Sequence, residues 1–218
     1  MSDLISRSAL RDAVCGDNVK NDTRRSTVDK KYELIAEKTI EVFGKKLFKI
    51  RALVDIESID VKAGDEGGYI EAEKNLSHCG DAWVCGNAQV CGNARVYGNA
   101  WVCGNASVYG NARVCGDALV YGDARVCGNA RVCGNAWVDH KYKIMTISNM
   151  GRAQRTTTFF VCKDGKIRVA CGCFYGDLEA FRNQVRETHA DTKHAKAYLA
   201  AADFVEATLD TSVEASDE

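Results

Sequence analysis

The stretch CGNARVCGNAWV, residues 127–138, contains two successive copies of a six-residue unit that decides the fold. The unit is [CY]-G-[ND]-A-x-V, and ten consecutive copies begin at every sixth position from Cys79 to Cys133. A glycine in every copy disfavours a helix, and six is not a multiple of the ~3.6 residues of a helical turn. The alternation in A-x-V-[CY] is typical of a short strand, and Gly followed by Asn or Asp is typical of a turn because these residues tolerate positive φ. Each copy therefore predicts one strand and one corner of a solenoid.

The variable x position predicts how many strands make one coil. Taken at every third copy, the x residues sort into three sets: Trp83, Trp101, Leu119 and Trp137; Gln89, Ser107 and Arg125; Arg95, Arg113 and Arg131. Similar residues thus recur every 18 positions. This period predicts a three-sided parallel β-helix in which residues 18 apart stack ~4.8 Å from one another. The ten copies then make just over three coils.

The same alternation predicts which side chains are buried. Val and Ala share one parity and are expected to fill the narrow interior, whereas the x residue and the Cys or Tyr are expected to face outward. The ends of a solenoid expose unpaired strand edges, so we expect the flanking segments to cap them. The segment EKNLSH at 73–78 reads as a worn terminal copy, with Leu76 at the Ala position and His78 at the Val position.

The whole chain is predicted to be mainly β, with the solenoid between an N-terminal cap and a small C-terminal α+β domain. The predicted segments are an N-terminal helix and polar linker (1–38), a hairpin with the turn Gly44-Lys45 and a solenoid cap (39–78), the solenoid (79–138), a C-terminal α+β domain (139–209) and an acidic disordered tail (210–218). Within the C-terminal domain we expect strands at 142–147, 156–162 and 166–174. Two helices should follow, capped by Asp177 and by Asp191 or Thr192.

Composition narrows the classes of function. The net charge is −1, so no broad electrostatic attraction to nucleic acid or membrane is expected. No run of eighteen apolar residues is present, so we expect no membrane partner. The chain starts without a secretory signal pattern and has eleven cysteines, which together favour a cytoplasmic location with free thiols.

Two columns of x residues are candidate binding surfaces. Outward-facing Trp83, Trp101, Leu119 and Trp137 would form a flat aromatic face, which either the C-terminal domain or another subunit covers, or which serves as a platform for a foreign partner. Stacked Arg95, Arg113 and Arg131, with Arg125 on the adjacent face, form either a solvated surface or an anion site for an acidic protein surface or a phosphate backbone. No Lys is interleaved with these arginines, which argues against a nucleic-acid partner.

The cysteines and histidines do not predict a metal site, a cofactor or a catalytic residue. Spacing by six residues sends successive cysteines to different faces, whereas zinc needs four convergent ligands. Cys85 should stack over Cys103, and Cys115 over Cys133, but parallel Cβ vectors disfavour a disulfide in either pair. None of the four histidines lies between residues 79 and 138.

The repeat [CY]-G-[ND]-A-x-V resembles the hexapeptide repeats of left-handed β-helix proteins and, more narrowly, the YdcK-type β-solenoid repeat. The flanking segments 63–84 and 171–199 are similar to segments that bracket such repeats in phage and prophage proteins. The resemblance implies a left-handed coil and a homo-oligomer such as the trimers of that class. Hexapeptide acyltransferases use a His in or beside the coil, so the absence of His between residues 79 and 138 favours a non-enzymatic binding protein. The likeness to phage proteins adds the hypothesis that it inhibits a host-defence protein. A structural or assembly scaffold and a hexapeptide-repeat acyltransferase-like enzyme are the alternatives.

Overall fold

A computed structural model of the protein describes residues 30–212, so the predicted helix at 3–14, most of the polar linker and the tail beyond residue 212 lie outside it. The chain starts with β1 (Tyr32–Val42), β2 (Lys45–Ala52) and β3 (Glu66–Ile70). Ten two-residue strands follow: β4 (Trp83–Val84), β5 (Gln89–Val90), β6 (Arg95–Val96), β7 (Trp101–Val102), β8 (Ser107–Val108), β9 (Arg113–Val114), β10 (Leu119–Val120), β11 (Arg125–Val126), β12 (Arg131–Val132) and β13 (Trp137–Val138). The last elements are β14 (Ile144–Met150), β15 (Arg155–Val161), β16 (Ile167–Cys171), β17 (Phe174–Asp177), α1 (Leu178–His189) and α2 (Lys193–Thr208).

The strands stack at the predicted 18-residue period. Trp83 pairs in parallel with Trp101, which pairs with Leu119, and the other two sets of x residues pair in the same way. The three sides of the solenoid are the sheets β4-β7-β10-β13, β6-β9-β12 and β3-β5-β8-β11, and β1 and β2 extend the last of these. The three-sided architecture is therefore confirmed.

The interior is filled by the repeat's alanines and valines, none of which is more than 1% exposed. Not every Cys at the predicted outward position is exposed: Cys91, Cys115 and Cys133 are buried. Two of them are covered by neighbouring segments. The hairpin that carries Lys45 lies beside Cys91. The hydroxyl of Tyr175 donates a hydrogen bond to the backbone carbonyl of Cys133.

Each corner is a tight turn in which glycine alone adopts the left-handed conformation. In the repeat, the glycine φ angles lie between 62° and 74°, whereas the following Asn or Asp has no positive φ. The Ala N–H donates to the Cys carbonyl across the turn, as from Ala88 to Cys85 at 3.2 Å. Positive φ at the first central residue only is the pattern of a type II′ turn.

The first coil has a different register from the one that the sequence predicts. Ile70 pairs with Val90 and Leu76 with Val96, 20 residues apart rather than 18. Leu76 therefore occupies a Val position, not an Ala position, and His78 lies in the corner that leads to Val84. Two extra residues in this corner absorb the shift. With this coil included, the solenoid has about four coils instead of just over three.

A buried lysine and a buried asparagine donate to backbone carbonyls at the N-terminal end of the solenoid, its upper edge. Within the solenoid, the carbonyl of Gly98 accepts a backbone N–H from the preceding coil, but Gly80 and Ala82 in the first coil have no such coil above them. Lys31 Nζ donates to the carbonyls of both, at 2.9 and 2.6 Å. Asn75, in the first coil, donates from Nδ2 to the carbonyls of Gly92 and Ala94 in the second coil, between β5 and β6. These side chains replace the missing strand donors.

The hairpin before the cap turns one residue earlier than predicted. Val42 pairs with Lys45, so the turn is Phe43-Gly44 and not Gly44-Lys45. Both turn residues have positive φ, 51° and 70°, which is the type I′ pattern that matches the twist of the flanking strands.

The antiparallel sheet β14-β15-β16-β17 covers the C-terminal end of the solenoid, its lower edge. Its side chains alternate between two cores: Phe160 and Ala170 belong to the solenoid core, whereas Phe159 and Val169 pack in the second core with the helices. The predicted strand 166–174 is in fact β16 and β17, because Cys171 pairs with Phe174 across a turn at Gly172. The predicted caps are confirmed for α1 at Asp177 and for α2 at Thr192, whose side chains accept hydrogen bonds from backbone N–H groups.

A pair of glycine variants tests how closely the corners stack. A Cβ on Gly116 would lie 2.8 Å from the backbone nitrogen of Gly134, whereas a Cβ on Gly128 would meet no atom within 4 Å. Gly128→Ala should cost about 1–2 kcal/mol for positive φ alone. Gly116→Ala should cost about 1–3 kcal/mol more, because a backbone atom has to move. Urea unfolding measures both, and equal losses would contradict close stacking.

The buried amine of Lys31 predicts a pH dependence of stability. Burial lowers the pKa of Lys31 from 10.5 to about 8. Between these two values the unfolded chain holds a proton that the folded chain has released, so the contribution of Lys31 to the free energy of unfolding rises with pH. Lys31→Met should be less stable by about 1–3 kcal/mol, because two carbonyls lose their donor. The stability gap between wild type and variant should widen from pH 7.5 to 9.5 in urea titrations, and a constant gap would contradict a lowered pKa.

Candidate functional site

The Trp face, which comprises Trp83, Trp101, Leu119 and Trp137, lies on one sheet of the solenoid as predicted. It is not a fully open aromatic platform. Trp83 is only 1% exposed, because Tyr32 packs against it with ring centroids 6.4 Å apart. At the other end, Lys163 lies over the ring of Trp137 at 5.6 Å. Trp101, Leu119 and Trp137 are half-buried, so the accessible part of this face is its middle and lower section.

The Arg face, which comprises Arg95, Arg113 and Arg131, lies on the sheet β6-β9-β12. Arg95 is exposed and its guanidinium lies 5.9 Å from the ring of Tyr97. Arg113 and Arg131 are half-buried, and Arg131 Nη1 donates to the Gly172 carbonyl at 2.7 Å. The lowest arginine therefore also anchors the C-terminal sheet.

One flanking arginine lies close to the loop that Arg131 contacts, but on the other side of the C-terminal sheet. A Cβ on Gly172 would meet Nη1 of Arg155, and Arg155 shares the side of β15 that carries Phe159 and faces the helices. Sequence reasoning missed Arg155 because it lies outside the repeat and its position depends on the turn between β16 and β17.

The third face carries Gln89, Ser107 and Arg125 in register. Arg125 is exposed there, on a different sheet from the Arg face. The structure therefore places Arg125 around a corner from Arg113 and Arg131 and does not bring its strand into their sheet.

Ladders of amide side chains line the exposed corners. Asn93 Nδ2 donates to Asn111 Oδ1 at 3.2 Å, and Asn111 Nδ2 donates to Asn129 Oδ1 at 3.0 Å. This corner joins the third face to the Arg face, and the repeat has no carboxylate in it. Stacked amides link neighbouring coils without adding charge beside the arginines.

Tyrosines of the repeat also contribute to the Trp and Arg faces, although they were not among the predicted binding residues. Tyr121 meets Trp137 edge-on with centroids 5.6 Å apart, and its hydroxyl donates to Asp139 Oδ2 at 3.3 Å. Tyr97 lies beside Arg95. The signal was present in the sequence, since each Tyr stands two residues after an x residue and therefore on the same outward side.

The two histidines that flank the solenoid are held by structural contacts. His78 stacks on Tyr32 at 4.3 Å, and its Nδ1 accepts the backbone N–H of Lys31. Desolvation lowers the pKa of His78, which favours the neutral ring that this hydrogen bond needs. His140 lies between the carboxylates of Asp139 and Asp210, at 2.9 and 3.2 Å.

An ion pair holds the start of the C-terminal region to the last coil. Lys143 is 2% exposed and donates to Asp139 Oδ2 at 2.7 Å. Because Asp139 also meets Tyr121 and His140, this cluster joins the lower corner to the segment that follows α2.

Residues 30–212 contain no group of three or more His, Cys, Asp or Glu placed to hold a metal ion. Over the same residues, no helix combines the length and the apolar character needed to cross a bilayer.

Comparison with known proteins identifies the repeat. Residues 88–104, 112–126 and 124–139 match the family described as YdcK Beta solenoid repeat. No curated protein matches the chain. The matched segments lie within the stack of strands from β5 to β13, whose parallel register has the 18-residue period. The chain is therefore a β-solenoid repeat protein of the YdcK type.

Proposed function

We propose that the protein is a binding protein whose solenoid presents the Arg face to an acidic protein surface. The observation that carries the proposal is the register of Arg95, Arg113 and Arg131, which pair strand to strand at one position of three consecutive coils. Their side chains are therefore held at the spacing of the coils, ~4.8 Å.

The spacing favours a particular kind of acidic partner. Carboxylates at positions i and i+4 of a helix lie about 5–6 Å apart, close to the distance between neighbouring arginines of the column. A guanidinium forms two parallel hydrogen bonds with a carboxylate, so a column of them can grip a helix that carries a stripe of Glu or Asp. Nucleic acid is the less favoured partner, because the column lacks interleaved lysines and the whole chain has a net charge of −1.

Non-enzymatic action belongs to the same proposal. Both ring nitrogens of His140 contact carboxylates, and Nδ1 of His78 accepts the backbone N–H of Lys31, and these structural roles support the proposal. The resemblance to phage and prophage proteins adds the proposed setting, which is the cytoplasm of a bacterial host, with a host-defence protein as the inhibited partner. Detectable acetyl-CoA binding in a calorimeter would count against this and favour the enzyme alternative.

Self-association through the Trp face is a second proposal. Trp101, Leu119 and Trp137 keep part of their apolar surface exposed within one chain, and a second copy of the chain would cover it. A homo-oligomer would also place several Arg faces in one particle, which strengthens binding to a repeated partner. A trimer is the size that the left-handed β-helix class implies.

Neutralising two arginines tests the Arg face. Arg95→Gln with Arg113→Gln should weaken binding of a helical peptide with Glu at i and i+4 by more than tenfold, because two charge-assisted contacts of about 1.5–3 kcal/mol are lost. The matched control is Gln89→Glu with Ser107→Glu, which lowers the net charge equally but on the third face. Calorimetry at fixed salt measures both. Equal weakening would mean that overall charge, not the Arg face, binds the peptide.

A single charge on the Trp face tests self-association. Leu119→Arg should shift the mass in light scattering from the oligomer to the 23.8 kDa chain, because a buried guanidinium without a partner opposes assembly. Ser107→Arg on the third face is the control and should leave the mass unchanged. A monomeric wild type would refute the oligomer directly.

A further inference from the structure

Two half-buried cysteines stack directly on one another beside the Trp face. The backbone N–H of Cys85 donates to Val102 and that of Cys103 donates to Val120, so the two residues occupy the same position in neighbouring coils. Trp101 lies in the coil of Cys103, and its indole Nε1 donates to the Sγ of Cys85 at 3.2 Å. The outer surface thus holds two thiols and one indole N–H in contact.

The pair is prepared to carry negative charge on sulfur. A hydrogen bond from Cys103 and a second from Trp101 lower the pKa of Cys85, although burial opposes them. The same hydrogen bond to Cys85, together with burial, raises the pKa of Cys103. The first proton therefore leaves Cys85, and the thiol of Cys103 stabilises the resulting thiolate. By contrast, burial raises the pKa of Cys91 and of Cys162.

The number and kind of ligands restrict what can bind. Residues 30–212 hold no group of three His, Cys, Asp or Glu suited to a metal, so a four-ligand zinc site cannot form at this pair. Two soft sulfur ligands suit a monovalent soft ion, Cu(I) being the biological example. Cys85 and Cys103 are carried at the same position by coils ~4.8 Å apart, so a small rotation about χ1 can place the two sulfur atoms on opposite sides of one ion.

We propose that Cys85 and Cys103 bind one Cu(I) ion as a linear dithiolate site next to the indole of Trp101. Cu(I) replaces the thiol protons of both cysteines. From the protonated pair, binding thus forms two Cu–S bonds, breaks two S–H bonds, releases two protons and leaves a net charge of −1 on the complex. No oxidation is involved, and the parallel side chains that disfavour a disulfide are suited to a bridging ion.

Competition for Cu(I) tests the site in the full chain. Under anaerobic conditions, Cu(I) is supplied as its coloured bicinchoninate complex. The decrease in absorbance of this complex measures the transfer of Cu(I) to the protein. We expect Cys85→Ser and Cys103→Ser each to remove one equivalent of tightly bound Cu(I). Cys127→Ser is the matched control, a half-buried thiol in a different corner, and should retain it. Unchanged stoichiometry in Cys85→Ser would overturn the proposal.

Fluorescence places the ion beside the indole. Cu(I) should quench part of the tryptophan emission in wild type, and Trp101→Phe should lose this quenching while still binding the ion. Copper X-ray absorption of the wild-type complex provides a reading that needs no variant: two sulfur neighbours and no nitrogen are expected. Three or more ligands to the ion, or quenching that persists in Trp101→Phe, would contradict the assignment. This site and the Arg face lie on different sheets, so either proposal can fail alone.

Discussion

The close approach of one coil to the next is the constraint on which the structure depends. Backbone N–H groups of each coil donate to carbonyls of the following coil, as from Trp83 to Ala100 at 3.0 Å. These bonds form only if corner and strand repeat with the same register. At the corner the next backbone is so near that a Cβ on most of the repeat glycines would lie within ~3.4 Å of it, and every one of these glycines has positive φ. The narrow interior is filled by Ala and Val throughout the ten copies, and larger residues enter it only at the ends. The outward x position varies most among the copies.

The same constraint explains why the two ends look unlike the middle. A coil satisfies its neighbours' backbone groups, so the first coil has carbonyls with no strand above them. Lys31 meets that need with a side-chain donor, and burial of its amine is tolerated because two carbonyls accept from it. Where the irregular first coil faces the second, the Asn75 side chain donates to the carbonyls of Gly92 and Ala94. At the lower end a complete sheet is used instead, with Phe160 closing the solenoid core and Phe159 facing the helices. Each cap supplies hydrogen-bond partners for backbone groups that would be unpaired at its end of the solenoid.

The strand register could be predicted from the sequence wherever the six-residue unit repeats without interruption. The 18-residue period fixed the pairing of Trp83 with Trp101 and of Arg95 with Arg113, because identical corners leave one register. The prediction failed where the chain departs from the repeat. The shift that places Leu76 against Val96 depends on two extra corner residues, and no pattern within 73–78 reveals them. Burial of Trp83 could not be foreseen either, since it depends on Tyr32, which is distant in the chain and is brought there by the hairpin.

The distribution of charge separates the Arg face from the rest of the repeat. In the corners no Asp lies directly above another: Asp81 stacks on Asn99, and Asn99 in turn donates to Asp117 at 3.0 Å. Like charges are thus kept two coils apart there. On the Arg face the opposite holds, and Arg95, Arg113 and Arg131 lie at successive coils. Two unit charges ~5 Å apart repel by about 0.8 kcal/mol in water and by more where water is excluded. An acidic partner would relieve this repulsion, which is a physical reason for placing the docking surface on this face.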